Sequence, residues 1–429
     1  MTEEFFFNEF RRALDRELKQ LGDEYRSENI PCEDLYRSVW NPCQSSKKHG
    51  GVIVASDGSM GTADFSGGLK VWYARALSHV QSEKDLKPFF YVKVKTGYRI
   101  GGLNSLMKSV EAENLLATIS KYKDKPILAI FDGSLYPFFS LYPEILKEEA
   151  EYVKDFARAL NGLFSLVEKG VKLMGVVKDS EINWLCMRLL LDSLRNEFPE
   201  LVYHIRRERW PRHIIQAIDE QIPKVNSKEA TRLNEYRRGF MSQICDETIF
   251  DILVKEPGYT CPMALAPRSL YLGEEVKART KDWRSSRLRE RLIKEYADLI
   301  TVFDELYSHP PLATFYWRPH HGLGVYRVDV PCSLLGYNDE WGSLGEDVLI
   351  RNKEALEGLG EICALLNGLS PEPYTVKPLL DVDEMVRMKE MVFSKAYLPI
   401  IQSELQKRGI MAYPKKREWR DYARRHLLS

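Results

Sequence analysis

Two short stretches of this 429-residue chain end on the same three residues. Val52-Ile53-Val54-Ala55-Ser56 leads into Asp57-Gly58-Ser59, and Ile127-Leu128-Ala129-Ile130-Phe131 leads into Asp132-Gly133-Ser134. Each apolar run reads as a buried strand and each Asp-Gly-Ser as the turn that closes it. A carboxylate at the end of a buried strand is costly to desolvate unless it meets a cation or hydrogen-bond donors. In a sheet of alternating strands and helices, that edge is where ligands bind. Glycine beside the acid lets the backbone turn sharply and a substrate come close. Asp-Gly-Ser is also ordinary turn chemistry, so a single copy would carry little. Two copies after two buried strands point to paired carboxylates that share a divalent metal, and hard oxygen donors suit Mg²⁺ or Mn²⁺.

Other residues can complete such a site. The stretch 102–120 reads as a helix whose buried stripe is Leu103, Leu106, Met107 and Val110. Glu111 and Glu113 flank that stripe on opposite sides, so helical spacing leaves both open, with a slight preference for Glu111. Lys178 follows the apolar run 171–177 and precedes Asp179-Ser180. It can hold a phosphate or steady charge on a phosphorane, or simply lie near a helix start with Asp-Ser as the cap. His320 and His321 occupy a loop between two strands, where exposure is the commoner state. Arg318 and Arg327 are candidates for bidentate phosphate contact, with surface ion pairing the equal alternative. The stretch 277–294 sets Trp283 among basic residues including Arg284, Arg287 and Arg291. That composition suits single-stranded nucleic acid as well as it suits a solvated helix face.

These residues need a scaffold. Residues 4–21 place Phe6, Phe7, Phe10, Leu14, Leu18 and Leu21 at helical spacing, a face for the core or for a partner. Strands are expected at 52–59, 69–80, 89–96, 126–132 and 171–177, with helices at 102–120, about 143–169, and onward to about 196. Three leading strands followed by alternation give an α/β fold, a mixed sheet flanked by helices with the RNase H-like order. Residues 205–300 read as a mostly helical, basic insertion, and strands return at 312–318 and 323–330. Helices close the chain at about 349–366 and 383–408. The division is therefore 1–49 (helix and loop), 50–204 (first part of the core), 205–300 (insertion) and 301–429 (returning strands and C-terminal helices).

Composition narrows the function classes. Lys plus Arg number 62 and Asp plus Glu number 62, so the net charge is zero. This excludes a tail-driven nucleic-acid binder but allows a local basic groove. The seven cysteines contain no C-x-x-C pair, which disfavours a zinc site or a disulfide framework. The N-terminus Met1-Thr2-Glu3-Glu4 is acidic, where a signal peptide would be basic. A cytoplasmic location without a membrane span is expected.

In VIVASDGS at 52–59, the Glu-bearing helix at 102–120, ILAIFDGSL at 127–135, LMGVVKDS at 173–180 and FYWRPHHGLGVYRVDVP at 315–331, the chain resembles the NurA nucleases. The resemblance implies an RNase H-like fold, a homodimer, and Mn²⁺-dependent cleavage of DNA, both 5′–3′ exonucleolytic and endonucleolytic on single strands. It also implies work with the hexameric ATPase HerA in end resection and double-strand break repair. By position it makes Asp57 and Asp132 the catalytic aspartates, Glu111 or Glu113 the helix acid, and Lys178 the Lys of the K-D-S motif. A metal-binding His that usually follows a Tyr-Pro loop is matched by Asp383 within Lys377-Pro378-Leu379-Leu380-Asp381-Val382-Asp383. Two other classes compete. An actin-like or sugar-kinase phosphotransferase also uses an Asp-Gly turn, but needs a second glycine-rich phosphate loop that this chain lacks. A non-catalytic DNA-processing scaffold would have no need of the retained acids, while Asp383 in place of the histidine leaves that class open.

Overall fold

Runs of β-branched and aromatic residues give eleven strands among the residues described by the computed structural model, namely 2–20, 30–65, 67–81, 86–98, 102–122, 125–136, 143–204, 211–242, 244–267, 287–371 and 375–410. In chain order they are β1 (Trp40–Pro42), β2 (Val52–Asp64), β3 (Lys70–Gln81), β4 (Leu86–Gly97), β5 (Ile127–Asp132), β6 (Lys172–Val177), β7 (Gly258–Thr260), β8 (Met263–Ala264), β9 (Leu312–Arg318), β10 (Tyr326–Pro331) and β11 (Val348–Leu349). The chain divides into two units. One comprises Gln44–Lys178, Pro262–Thr314 and Val328–Ser429, and the other Met1–Cys43, Asp179–Cys261 and Phe315–Arg327.

The first unit is built on a mixed sheet with the order β6-β5-β2-β3-β4. β2 is parallel to β5, and β5 to β6, while β3 is antiparallel to both β2 and β4. Alternation along β3 sends its side chains to two helical layers. On one face Trp72, Ala74 and Ala76 pack with Leu106 and Val110 of the Leu103–Ile119 helix and with Tyr152 of the Pro143–Val167 helix. On the other, Val71 joins Ala63, Phe65, Leu69 and Leu405, against which Phe393, Leu398 and Ile401 pack. The Lys377–Val386 helix contacts β2, β3 and β5. A buried polar chain fixes the rotation of the Leu103–Ile119 helix: Asn114 Nδ2 donates to Ser78 Oγ at 2.9 Å, and Ser78 Oγ to Ser56 Oγ at 3.0 Å.

In the second unit β1 pairs with β7 and β7 with β9, all antiparallel. Asp246 is fully buried there and caps the Trp184–Glu197 helix from outside it, accepting from Leu185 N and Cys186 N at 2.9 Å and from the Tyr316 hydroxyl at 2.9 Å. Donors of this number make the burial of an acid tolerable.

Two expectations are revised, the first and the third below, and two are made more specific. The first Asp-Gly-Ser is not a strand end: β2 runs through it to Asp64, because its ladder with β3 continues to Asp64 beside Lys70. The stretch 205–300 holds β7 and β8 besides its helices, strands of three and two residues that are too short to leave a periodic pattern. The helix expected at 383–408 is two, because the Lys377–Val386 helix stops where Arg387 turns extended at ψ 121, and a second runs from Glu390 to Lys407 through a π turn at Phe393–Tyr397. The N-terminal helix forms at Thr2–Gln20, yet Phe7 and Phe10 are each 62% exposed, so those two rings do not cap a core. Among the described residues no helix is long and apolar enough to cross a membrane.

Candidate metal centre

β2 and β5 run side by side in register from Val52 beside Ile127 to Ser56 beside Phe131. Asp57 and Asp132 are the next residues on strands about 4.8 Å apart, and residues level with one another on adjacent strands leave the sheet by the same face. Here the strands part company. β5 ends at Asp132, where Gly133 takes a φ of +124, open to glycine alone at little cost, and its N–H donates to the Val176 carbonyl at 2.8 Å. β2 continues against β3. Asp132 lies beside Val176 of β6, and Lys178 follows two residues on. The Lys178 ammonium donates to Asp132 Oδ2 at 2.7 Å.

Glu111 arrives from the opposite layer. Gly58 sits beside Ala76, on the face covered by the Leu103–Ile119 helix. A Cβ built on Gly58 would lie 2.2 Å from Glu111 Oε1. The glycine is therefore a slot, and the Glu111 carboxyl fills the space that any side chain at 58 would take. Glu111 is 2% exposed and Asp57 8%. Glu113 is elsewhere: its Oε1 accepts from Lys93 Nζ at 2.8 Å, and the same ammonium donates to Asp155. Of the two glutamates, only Glu111 is grouped with the aspartates. Asp383, half-buried on the Lys377–Val386 helix, adds its charge to both Asp57 and Asp132.

The electrostatics are those of crowded, buried negative charge. Burial, then Asp132 and Asp383, push Asp57 up to about 7, against the pull of the Gly58 N–H at 2.7 Å and of Lys178. Burial, then Asp57 and Asp132, raise Glu111 well above the usual carboxylate range. Burial also raises Asp132, although Lys178 opposes it. Such a cluster holds on to protons or takes up a cation. The donor set, all carboxylate oxygen, fits a hard divalent ion. Among the described residues no three acid, cysteine or histidine side chains are already closed into a ligand shell, so the acids are gathered but not drawn to one point.

The other candidates fall out as follows. Lys178 goes to Asp132, and the cap position of the next helix is Asn183, so Asp179-Ser180 is not a cap. Arg318 and Arg327 belong to the second unit and are 4% and 3% exposed. Arg318 is committed to Asp251 at 2.8 Å and to the Leu323 carbonyl, bracing its own loop, and Arg327 Nη1 donates to Ser180 Oγ at 3.3 Å. The surface phosphate contact expected of both is replaced by internal bonding, because each side chain is turned inward. His321 is exposed and 3.4 Å from Glu256. Arg284 lies outside the described residues, as do the side chains of Arg287 and Arg291 on the Arg287–Glu295 helix. Sequence reasoning missed that Gly58 makes room rather than a turn. It also missed Asp329, fully buried, which accepts from Ser134 Oγ at 2.6 Å. The Ser was visible in its motif; its partner, nearly two hundred positions away, was not.

The NurA domain family matches residues 51–340. No curated protein sequence matches the chain. Among solved structures, a NurA crystal structure is 14% identical, with 91% of this chain and 97% of that chain covered and a TM-score of 0.45. A NurA structure with manganese is 14% identical, covers 92% and 98%, and scores 0.43. A NurA structure bound to dAMP and manganese is 13% identical, covers 92% and 96%, and scores 0.40.

If crowding of charge is what the fold tolerates here, neutralising one acid must help the metal-free protein. In EDTA at pH 8, Asp57→Asn is expected to raise stability by about 2 kcal/mol, below the full value of the shift because the neutral amide oxygen accepts the Gly58 N–H less strongly than the carboxylate does. Mn²⁺ at a hundredfold excess over its Kd should stabilise the native chain by about 2.7 kcal/mol and the Asp57→Asn chain far less. Urea unfolding with and without Mn²⁺ measures both.

Proposed function

Because the chain belongs to the NurA family, we propose that it is a divalent-metal-dependent deoxyribonuclease acting through Asp57, Asp132 and Glu111. The observation that carries this reading is the gathering of these acids from β2, β5 and the Leu103–Ile119 helix, with Asp57 and Glu111 buried. Asp57, Asp132 and Glu111 would hold the ion, with Asp383 as a further ligand in place of the family's histidine. Mn²⁺ is the proposed ion, with Mg²⁺ the alternative. A bound divalent ion supplies an activated water and neutralises charge on the phosphate oxygens. Lys178 orients the Asp132 carboxylate by a hydrogen bond and favours its ionised form against the opposing effect of burial. An ammonium in that position can also donate to a non-bridging phosphate oxygen as charge builds there. Gly58 leaves the carboxyl of Glu111 room to reach the site, and Gly133 leaves the backbone beside Asp132 bare for close approach of a sugar-phosphate chain.

The finer reading follows the family resemblance: 5′–3′ exonuclease and single-strand endonuclease activity in end resection, as a homodimer working with a HerA-type hexameric ATPase. DNA contacts are proposed for Arg284, Arg287 and Arg291. The exposed rings of Phe7 and Phe10 and the side chain of Leu14 are the proposed protein-binding face, since aromatic residues supply large buried area with few rotors to freeze.

Cleavage of end-labelled DNA should require Mn²⁺ or Mg²⁺, and Asp57→Asn and Asp132→Asn should each slow it by more than about a hundredfold. Undiminished cleavage by either variant, or in EDTA, removes the assignment. Neutralising Arg284, Arg287 and Arg291 together should lower the slope of log affinity against log salt by about 2 to 3, read by fluorescence anisotropy at several salt concentrations. Phe7→Asp with Phe10→Asp should leave melting unchanged and abolish either self-association in light scattering or co-purification with the ATPase; retention of both shows that the contacts lie elsewhere.

A further inference from the structure

We propose that Ser59 and Arg75 are positioning residues, a clamp that fastens the C-terminal end of the Lys377–Val386 helix to the sheet and thereby holds Asp383 in the carboxylate cluster. The proposal rests on reading that cluster as a metal centre.

Ser59 and Arg75 lie directly opposite one another on β2 and β3. Ser59 is two residues past Asp57, so both leave β2 by the same face, the face met by the Lys377–Val386 helix. A guanidinium Nη2 of Arg75 donates to the Val386 carbonyl. The Met388 N–H donates to Ser59 Oγ at 3.2 Å. One cross-strand pair thus binds the helix on either side of the residue at which it ends. Val386 is the last helical residue, and the Arg387 N–H closes the final turn on the Asp383 carbonyl at 2.9 Å. The carbonyls of a last turn have no acceptor role inside the helix, so the Val386 oxygen is free to take the Arg75 proton. A cation at that end also meets the negative pole of the helix dipole. Among the described residues Arg75 has no carboxylate partner; its charge is spent on the helix end.

The clamp has a load to bear. Asp383 brings a further negative charge toward Asp57 and Asp132. Repulsion between them pushes the helix off the sheet. Leu379, Val382 and Val386 hold it by burial, at 1%, 0% and 3% exposure. Burial, however, is non-directional and does not fix how far the helix slides or turns. Asp383 is one helical turn from Val386, so a bond at Val386 and another at Met388 set the height and rotation of the acid. Ser59 therefore has a use in the Asp-Gly-Ser motif distinct from that of Ser134, which holds Asp329.

Titration calorimetry of Mn²⁺ into the full chain tests this, with Ser59→Ala, Arg75→Ala and Arg75→Lys, each made alone and with Asp383→Asn. Ser59→Ala is nearly isosteric and keeps the experiment informative should Arg75→Ala fold poorly. With Asp383 present, Ser59→Ala and Arg75→Ala should each weaken Mn²⁺ binding roughly tenfold, and Arg75→Lys, which keeps charge and a donor, should recover most of the loss. With Asp383→Asn in place, the same changes should alter the affinity less than about twofold, since the acid they position is gone. Unchanged affinity in Ser59→Ala and Arg75→Ala, equal losses in both backgrounds, or an Asp383→Asn change without effect overturns the clamp while the metal reading stands. A native chain that takes up no Mn²⁺ overturns the metal reading, and the clamp with it.

Discussion

Buried like charge is the constraint around which the first unit is organised. Two acids on adjacent strands, Asp57 and Asp132, with two more on covering helices, Glu111 and Asp383, are a standing cost to the fold. Three of them are held in place by contacts from outside the group of acids. The β2–β3 ladder carries Asp57, the Lys178 ammonium ties down Asp132, and the Asn114–Ser78–Ser56 chain sets the rotation of the helix that bears Glu111. The apolar layers on the two faces of β3 supply the stability from which that cost is met. A site of this kind is a departure from local consistency that the rest of the structure must offset, which is where function is commonly found.

The scaffold was legible wherever a pattern was long. The strands containing Val54 and Ile130, the Leu106 helix and the order of alternation between residues 50 and 196 all follow from runs of apolar or β-branched residues at a period of two or near 3.6. Asp57, Asp132 and Lys178 were legible because each closes such a run. The short strands Trp40–Pro42, Gly258–Thr260 and Met263–Ala264 were not, since two or three residues establish no period and their pairing partners lie far along the chain. Glu111 and Glu113 could not be separated by helical spacing alone. The deciding facts are a glycine on another strand and a lysine on a third, Gly58 and Lys93. Arg318 reads as a surface cation in the sequence and is an internal brace in the structure, because its partner Asp251 is more than sixty residues upstream.

The two Asp-Gly-Ser copies are alike in letters and opposite in mechanics. Asp57 sits within a ladder that is bonded on both sides of it, from Ile53 beside Gln81 to Asp64 beside Lys70. Asp132 is the last residue of its strand, followed by a glycine in a conformation that few other residues adopt. Strand pairing thus continues past Asp57 and stops at Asp132. On the proposed reading, a change in the radius or charge of a bound ion would be taken up first on the Asp132 side, with Asp57 the fixed reference from which that displacement is measured.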